Sequence, residues 1–172
     1  MEILTTGIVI FENVFIKNEE LIDLAESSNK WRPGLIGQKQ EPDPRFRITD
    51  IHDLDPATAL HKELQETIVD SIKEYSQHYK VRLQQMEHLR VARYPENAFY
   101  SMHSDADGKR QISFVLFLND DFGGGALNFE YQNLAIQPKA GSLVVFPSNY
   151  LFRHECQKVT SGNRYIAISW AG

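Results

Sequence analysis

A single cysteine, Cys156, stands in the 172 residues, so no disulfide can close within the chain and a reducing, cytoplasmic setting is expected. No apolar run approaches the roughly 20 residues that span a bilayer, and no membrane partner is expected. Basic residues are not in excess: 18 Lys and Arg against 23 Asp and Glu give a formal net charge of −5. Non-specific nucleic-acid binding needs the opposite sign, so nucleic acid is not an expected partner. Glycine (10) and proline (7) are too few for a collagenous or low-complexity chain. The Gly123-Gly124-Gly125 run lacks the Lys-Ser/Thr that completes a phosphate loop and reads as a turn. Met1 to Thr6 carries an acid and no basic segment, so a secretory leader is not expected. No repeat or linker divides the chain, and one domain over 1–172 is expected.

What is present is a globular composition, 42% hydrophobic and 11% aromatic, which builds a core without staples. Residues 1–86 read as a largely helical region and 87–172 as strands. Ile8 to Phe11 predicts a short strand. Asn18, followed by Glu19 and Glu20, predicts a helix start running to about Asn29. Asp55-Pro56 predicts a second start. Leu60, Leu64, Ile68, Ile72, Tyr75 and Tyr79 then form the apolar stripe of a long helix ending near Lys80, with His61 and His78 expected in solvent. Strands follow at His88–Tyr94, Arg110–Leu118, Ala126–Tyr131, Leu134–Gln137, Ser142–Phe146 and Arg164–Trp170. In the second of these, Ile112, Phe114 and Leu116 alternate with Ser113, Val115 and Phe117. The pattern fits an α+β fold with a mostly β core, a jelly roll (double-stranded β-helix) with N-terminal helices packed against it.

Residues 31–50 are irregular, with Pro33, Gly34, Gly37, Pro42 and Pro44 excluding a regular helix. A loop this long in a small domain is often functional. It also holds Lys39; its Arg32, Arg45 and Arg47 are suited to gripping a peptide backbone or an acidic substrate, and the segment is the candidate lid.

His103-Ser104-Asp105 places an imidazole and a carboxylate two residues apart, on one face of a strand end. His154, 49 residues later, can add a third donor. Two histidines and a carboxylate on one side of an ion suit a non-haem Fe(II) oxygenase centre; zinc would suit a hydrolytic site built from the same three ligands. Arg164, ten residues after His154, separates the two readings. A cation there would hold the carboxylate of a co-substrate chelating the metal, and guanidinium does so in two-pronged fashion. Cys156, two residues from His154, is read as a small buried residue or a cavity-wall thiol.

Several segments carry a family resemblance in order: Arg93-Tyr94-Pro95-Glu96-Asn97, Tyr100 to Asp105, Arg110 to Asn119, Gly124 to Leu127, Pro138 to Ser142, Phe146-Pro147-Ser148, and His154 through Gly162-Asn163-Arg164-Tyr165 to Trp170. Over about 88–172 the chain resembles the prolyl 4-hydroxylase branch of the Fe(II)/2-oxoglutarate dioxygenases. It is most similar to the hypoxia-inducible-factor-type and bacterial or viral members. The resemblance implies iron ligands His103, Asp105 and His154, a co-substrate anchor at Arg164, a second co-substrate contact at Tyr94, and a cavity aromatic at Trp170. It also implies that Arg110 faces the peptide. Its cofactors and co-substrates would be Fe(II), 2-oxoglutarate and O2, with ascorbate allowed as an auxiliary reductant. The reaction implied is 4-hydroxylation of peptidyl proline with decarboxylation of 2-oxoglutarate to succinate and CO2.

Phe117 stands where the resembled enzymes place a second co-substrate tyrosine, and Arg164 stands where the collagen-type enzymes use lysine. Hydroxylation of another residue or a free amino acid is the alternative within the class. A base-repair demethylase would carry a second arginine where Trp170 stands. A non-catalytic jelly-roll module would be expected to have lost a triad residue or Arg164.

Overall fold

Short runs of β-branched and aromatic residues, separated by turn residues, make strands the dominant element. The computed structural model describes residues 1–36, 41–137 and 139–172. Gly37 and Lys39 of the loop, and Pro138 of the Pro138–Ser142 segment, lie outside the described residues. In chain order the elements are β1 (Glu2–Thr5), β2 (Ile8–Phe11), α1 (Asn18–Glu26), β3 (Arg32–Pro33), β4 (Arg47–Ile48), β5 (Asp50–Asp53), α2 (Ala59–Tyr79), β6 (Arg90–Tyr94) and β7 (Phe99–His103). Then follow β8 (Ile112–Phe117), β9 (Gly123–Gly124), β10 (Leu127–Phe129), β11 (Leu134–Ile136), β12 (Leu143–Pro147), β13 (His154–Cys156), β14 (Val159–Ser161) and β15 (Arg164–Ala171).

The strands form an eight-stranded sheet, β1-β2-β12-β8-β15-β6-β5-β3, and a five-stranded sheet, β11-β10-β13-β7-β4. The larger sheet is apolar on both faces. On β8, Ile112, Phe114 and Leu116 pack outward into a cluster with Leu64, Ile68, Ile72 and Tyr75 of α2. Val115 and Phe117 point inward, into a second cluster with Phe129 and Cys156 of the smaller sheet. Two-sided burial makes β8 read as a continuous apolar run. The jelly-roll core with helices packed on one side is as expected.

The helical reading of residues 1–86 needs correction. That region supplies β1 and β2 to one edge of the large sheet, β3 and β5 to the other, and β4 to the small sheet. Two- to four-residue strands carry too little periodicity to register locally; pairing with distant partners creates them. Gly123-Gly124, read as turn, pairs with β14 as a two-residue strand.

Helix α2 starts three residues later than Asp55-Pro56 suggested. Asp55 caps a preceding turn, accepting from the Ala57 N–H at 2.9 Å, and Thr58 Oγ1 accepts from the His61 N–H at 3.2 Å. His61 is buried, contrary to expectation, because the inward stripe runs 61-64-68-72-75 rather than through Leu60. His78 is exposed, as expected. Two hydrogen bonds bind α2 to the β1–β2 turn: Tyr75 donates to the Gly7 carbonyl and the Gly7 N–H donates to Tyr79 Oη. Among the described residues, no helix is long and apolar enough to cross a membrane.

Candidate metal and co-substrate centre

Strands β7 and β13 are neighbours in the small sheet, and their register sets His154 opposite His103. His103 ends β7 and His154 begins β13, so both imidazoles emerge at the same end of the sheet. Asp105 lies two residues past the end of β7. One donor atom from each of the three lies within 4.8 Å of the others. His103 Nε2 is 3.5 Å from Asp105 Oδ1, and His154 Nε2 is 3.6 Å from Oδ2.

The opposite ring nitrogens are already engaged. His103 Nδ1 meets the Ser101 carbonyl at 2.9 Å and His154 Nδ1 meets the Phe152 carbonyl at 3.1 Å. A carbonyl can only accept, so Nδ1 carries the proton and the Nε2 lone pair faces the triad. Burial, with His103 beside it, pushes His154 down to about 4, so its imidazole is the neutral, ligating form near pH 7. Burial opposes ionisation of Asp105, but the Ser113 hydroxyl and the positive charge that His154 and His103 carry when protonated outweigh it and hold the carboxyl well below the usual range. Ser113 Oγ donates to Asp105 Oδ2 at 2.7 Å and lies 2.8 Å from Ser148 Oγ.

The triad opens into a cavity of about 450 Å³ between the sheets. Alternation along β15 turns Arg164, Ile166, Ile168 and Trp170 toward it. Arg164 pairs with Tyr94 across the β15–β6 ladder. It is 1% exposed, and its Nε and Nη1 find no hydrogen-bond partner among the described residues. Its guanidinium instead lies over the rings of Tyr94 (4.9 Å) and Phe117 (4.8 Å). Gly125, at φ +63°, leaves room for it: a Cβ there would sit 3.0 Å from Arg164 Cδ. A buried cation without an acid costs stability and is a prepared site for an anion. Burial pushes the Tyr94 phenol up to about 12, so it stays a neutral donor.

Trp170 lines the other end of the cavity, with Arg110 3.9 Å from its ring centroid. Arg110 also lines the cavity and is gripped by Glu87 through two hydrogen bonds of 2.5 and 2.7 Å. Arg47 lines the cavity too; Arg45 does not, being exposed and forked onto Asp43. Cys156 is buried in the cavity wall. Sequence reasoning missed Tyr100, Ser113, Ser148 and Arg90. Ser113 was detectable, since it interrupts the apolar inward face of β8; Tyr100 and Ser148 fall in segments that carry the resemblance without being singled out there, and Arg90 carried no local signal.

Two imidazoles and a carboxylate on one side of a metal position fit Fe(II), and the unpaired Arg164 fits the far carboxylate of a chelating dicarboxylate. The jelly roll and this donor set define the class of non-haem iron oxygenase folds. Residues 89–172 match the family described as the 2OG-Fe(II) oxygenase superfamily. Members use Fe(II), 2-oxoglutarate and O2.

A PKHD-type hydroxylase of Prochlorococcus marinus (strain MIT 9215) is 31% identical over 159 residues, 90% of this chain and 59% of the relative. The chain thus spans less than two thirds of that relative's length. A Pseudomonas putida prolyl-4-hydroxylase structure superposes with a TM-score of 0.80 at 25% identity, covering 96% of this chain and 92% of the other. A Trichoplax adhaerens prolyl hydroxylase, solved with a hypoxia-inducible-factor oxygen degradation domain peptide, shares the fold with a TM-score of 0.84 at 20% identity. It covers 97% and 84% of the two chains.

Proposed function

We propose that the chain is an Fe(II)- and 2-oxoglutarate-dependent dioxygenase that 4-hydroxylates proline in a peptide or protein. The observation that carries this is Arg164, buried without an acidic partner among the described residues, in the same cavity as the His103–Asp105–His154 triad. The P. putida neighbour's description as a prolyl-4-hydroxylase supports proline as the substrate. The single buried Cys156 suits a cytoplasmic setting.

His103 Nε2, Asp105 and His154 Nε2 would hold Fe(II), leaving the cavity side of the ion for ligands. Bound Fe(II) with 2-oxoglutarate supplies the redox chemistry that couples O2 reduction and decarboxylation to oxygen insertion into a C–H bond. The protein's part is placement. Arg164 holds the co-substrate's far carboxylate in two-pronged fashion, and the neutral Tyr94 hydroxyl is positioned to add a donor. Phe117 and Ile166 keep that end dry, which strengthens the ion pair. Arg110, fixed by Glu87 and Trp170, faces the open side, where it can donate to a peptide carbonyl.

The test is conversion of 2-oxoglutarate to succinate followed by NMR, with and without proline-containing peptides. Peptide-stimulated turnover that His103→Ala abolishes is expected. Turnover unaffected by any peptide would refute the peptide substrate and point to a free amino acid. No turnover from iron-loaded protein would refute the oxygenase reading.

A further inference from the structure

Arg47 has a different occupation from the substrate grip its loop position suggests. Strand β4 lies along β7 with Arg47 opposite Tyr100. The guanidinium carbon sits 4.4 Å from the centroid of the Tyr100 ring. The same ring stacks on His103, with centroids 3.7 Å apart and planes 16° apart. Through the Tyr100 ring, guanidinium and imidazole are joined in one contact column. The Ser101 carbonyl restrains His103 within its ring plane, and the column restrains it perpendicular to that plane.

Arg47 is itself held. Its Nε donates to Thr49 Oγ1 at 2.7 Å and its Nη1 to the Leu35 carbonyl at 3.2 Å. Gly34 lies directly on this pair: a Cβ there would overlap both Thr49 Oγ1 and Arg47 Nε. Leu35 and Ile36 form part of the cavity wall. One side chain thus ties the wall segment to a donor of the triad. Arg45, two residues away, does neither.

We propose that Arg47 is a positioning residue that fixes the His103 imidazole for metal binding through Tyr100 and couples the order of the 34–36 wall to occupancy of that site. The role of His103 rests on the function proposed above. Because coupling is reciprocal, metal bound at His103 steadies the wall, and a docked wall raises metal affinity. Groups that orient a metal-ligating histidine typically contribute 10- to 100-fold in affinity.

The test uses the apo protein titrated with Co(II), read by ligand-field absorption, so it needs no turnover. His103→Ala first locates the signal. Arg47→Ala and Tyr100→Leu are each expected to weaken Co(II) binding about 10-fold and to alter the band shape. Arg47→Lys, which keeps a cation over the ring, and Tyr100→Phe, which keeps the stack, are expected to stay within about threefold. Tyr100→Leu carries the test alone if Arg47→Ala does not fold, since it removes the stack and leaves Arg47 bonded to Thr49 and Leu35. Unchanged affinity and spectrum in the folded variants would overturn the proposal. So would an Arg47→Ala protein altered only in peptide KM, which would make Arg47 a substrate contact. Co(II) binding that obeys these expectations in a protein without 2-oxoglutarate turnover would refute the proposed function and leave the column standing.

Discussion

Replacing Arg164 by leucine should move stability in opposite directions with and without co-substrate. In the free protein the guanidinium is 1% exposed, with Nε and Nη1 unpartnered among the described residues. Removing such a group relieves an unmet desolvation cost of about 1–3 kcal/mol. At about 2–4 °C per kcal/mol for a chain of this size, Arg164→Leu should melt about 2–12 °C above the wild type. Leucine is shorter and leaves some space, which places the outcome toward the lower end.

With Mn(II) present and oxygen excluded, 2-oxoglutarate at 100 times its Kd should stabilise the wild type by about 2.7 kcal/mol. The same addition should shift Arg164→Leu far less, because the far carboxylate then meets no cation and keeps only the Tyr94 hydroxyl as a donor. Arg164→Lys keeps the charge but loses the fork, and an intermediate shift is expected. Thermal unfolding followed by circular dichroism reads all three. An Arg164→Leu protein that melts lower than the wild type and still responds in full to 2-oxoglutarate would refute the reasoning.

Phe117 lies beside the same guanidinium, so Phe117→Tyr should add one co-substrate hydrogen bond and lower the KM for 2-oxoglutarate about 2- to 10-fold in steady-state kinetics. Ser113→Ala removes the hydrogen bond that orients Asp105, and Fe(II) affinity, measured by competition with a chelator, should fall about 10-fold. Burial lowers the pKa values of both His52 and His61. The unfolded chain then binds protons more readily than the folded one, so stability is whole above the unfolded value of about 6.5 and declines as pH falls below it. His61→Leu should flatten the fall in melting temperature between pH 7.5 and 5; an unchanged slope would remove His61 from the account.

What the sequence determined by itself was chemistry at fixed spacing and structure with local period. His103, Asp105, His154 and Arg164 were readable because a facial metal site and its anion partner need those residue types, and strand alternation projects them to one side. The jelly-roll core and α2 were readable because their apolar residues recur every two or every 3.6 positions over many residues.

Tertiary structure decided what depends on distant pairing. Strands β1 and β3 to β5 exist because sheet edges elsewhere in the chain recruit them, so of the N-terminal half's share of the sheets only β2 was legible. That His61 rather than Leu60 heads the buried stripe follows from where α2 docks. Arg45 and Arg47 look equivalent in sequence; strand pairing sends one to Asp43 and the other onto Tyr100. Arg164 was legible as a residue type, but its lack of a partner was not. That property belongs to everything packed around it, and it makes a buried guanidinium a prepared anion site.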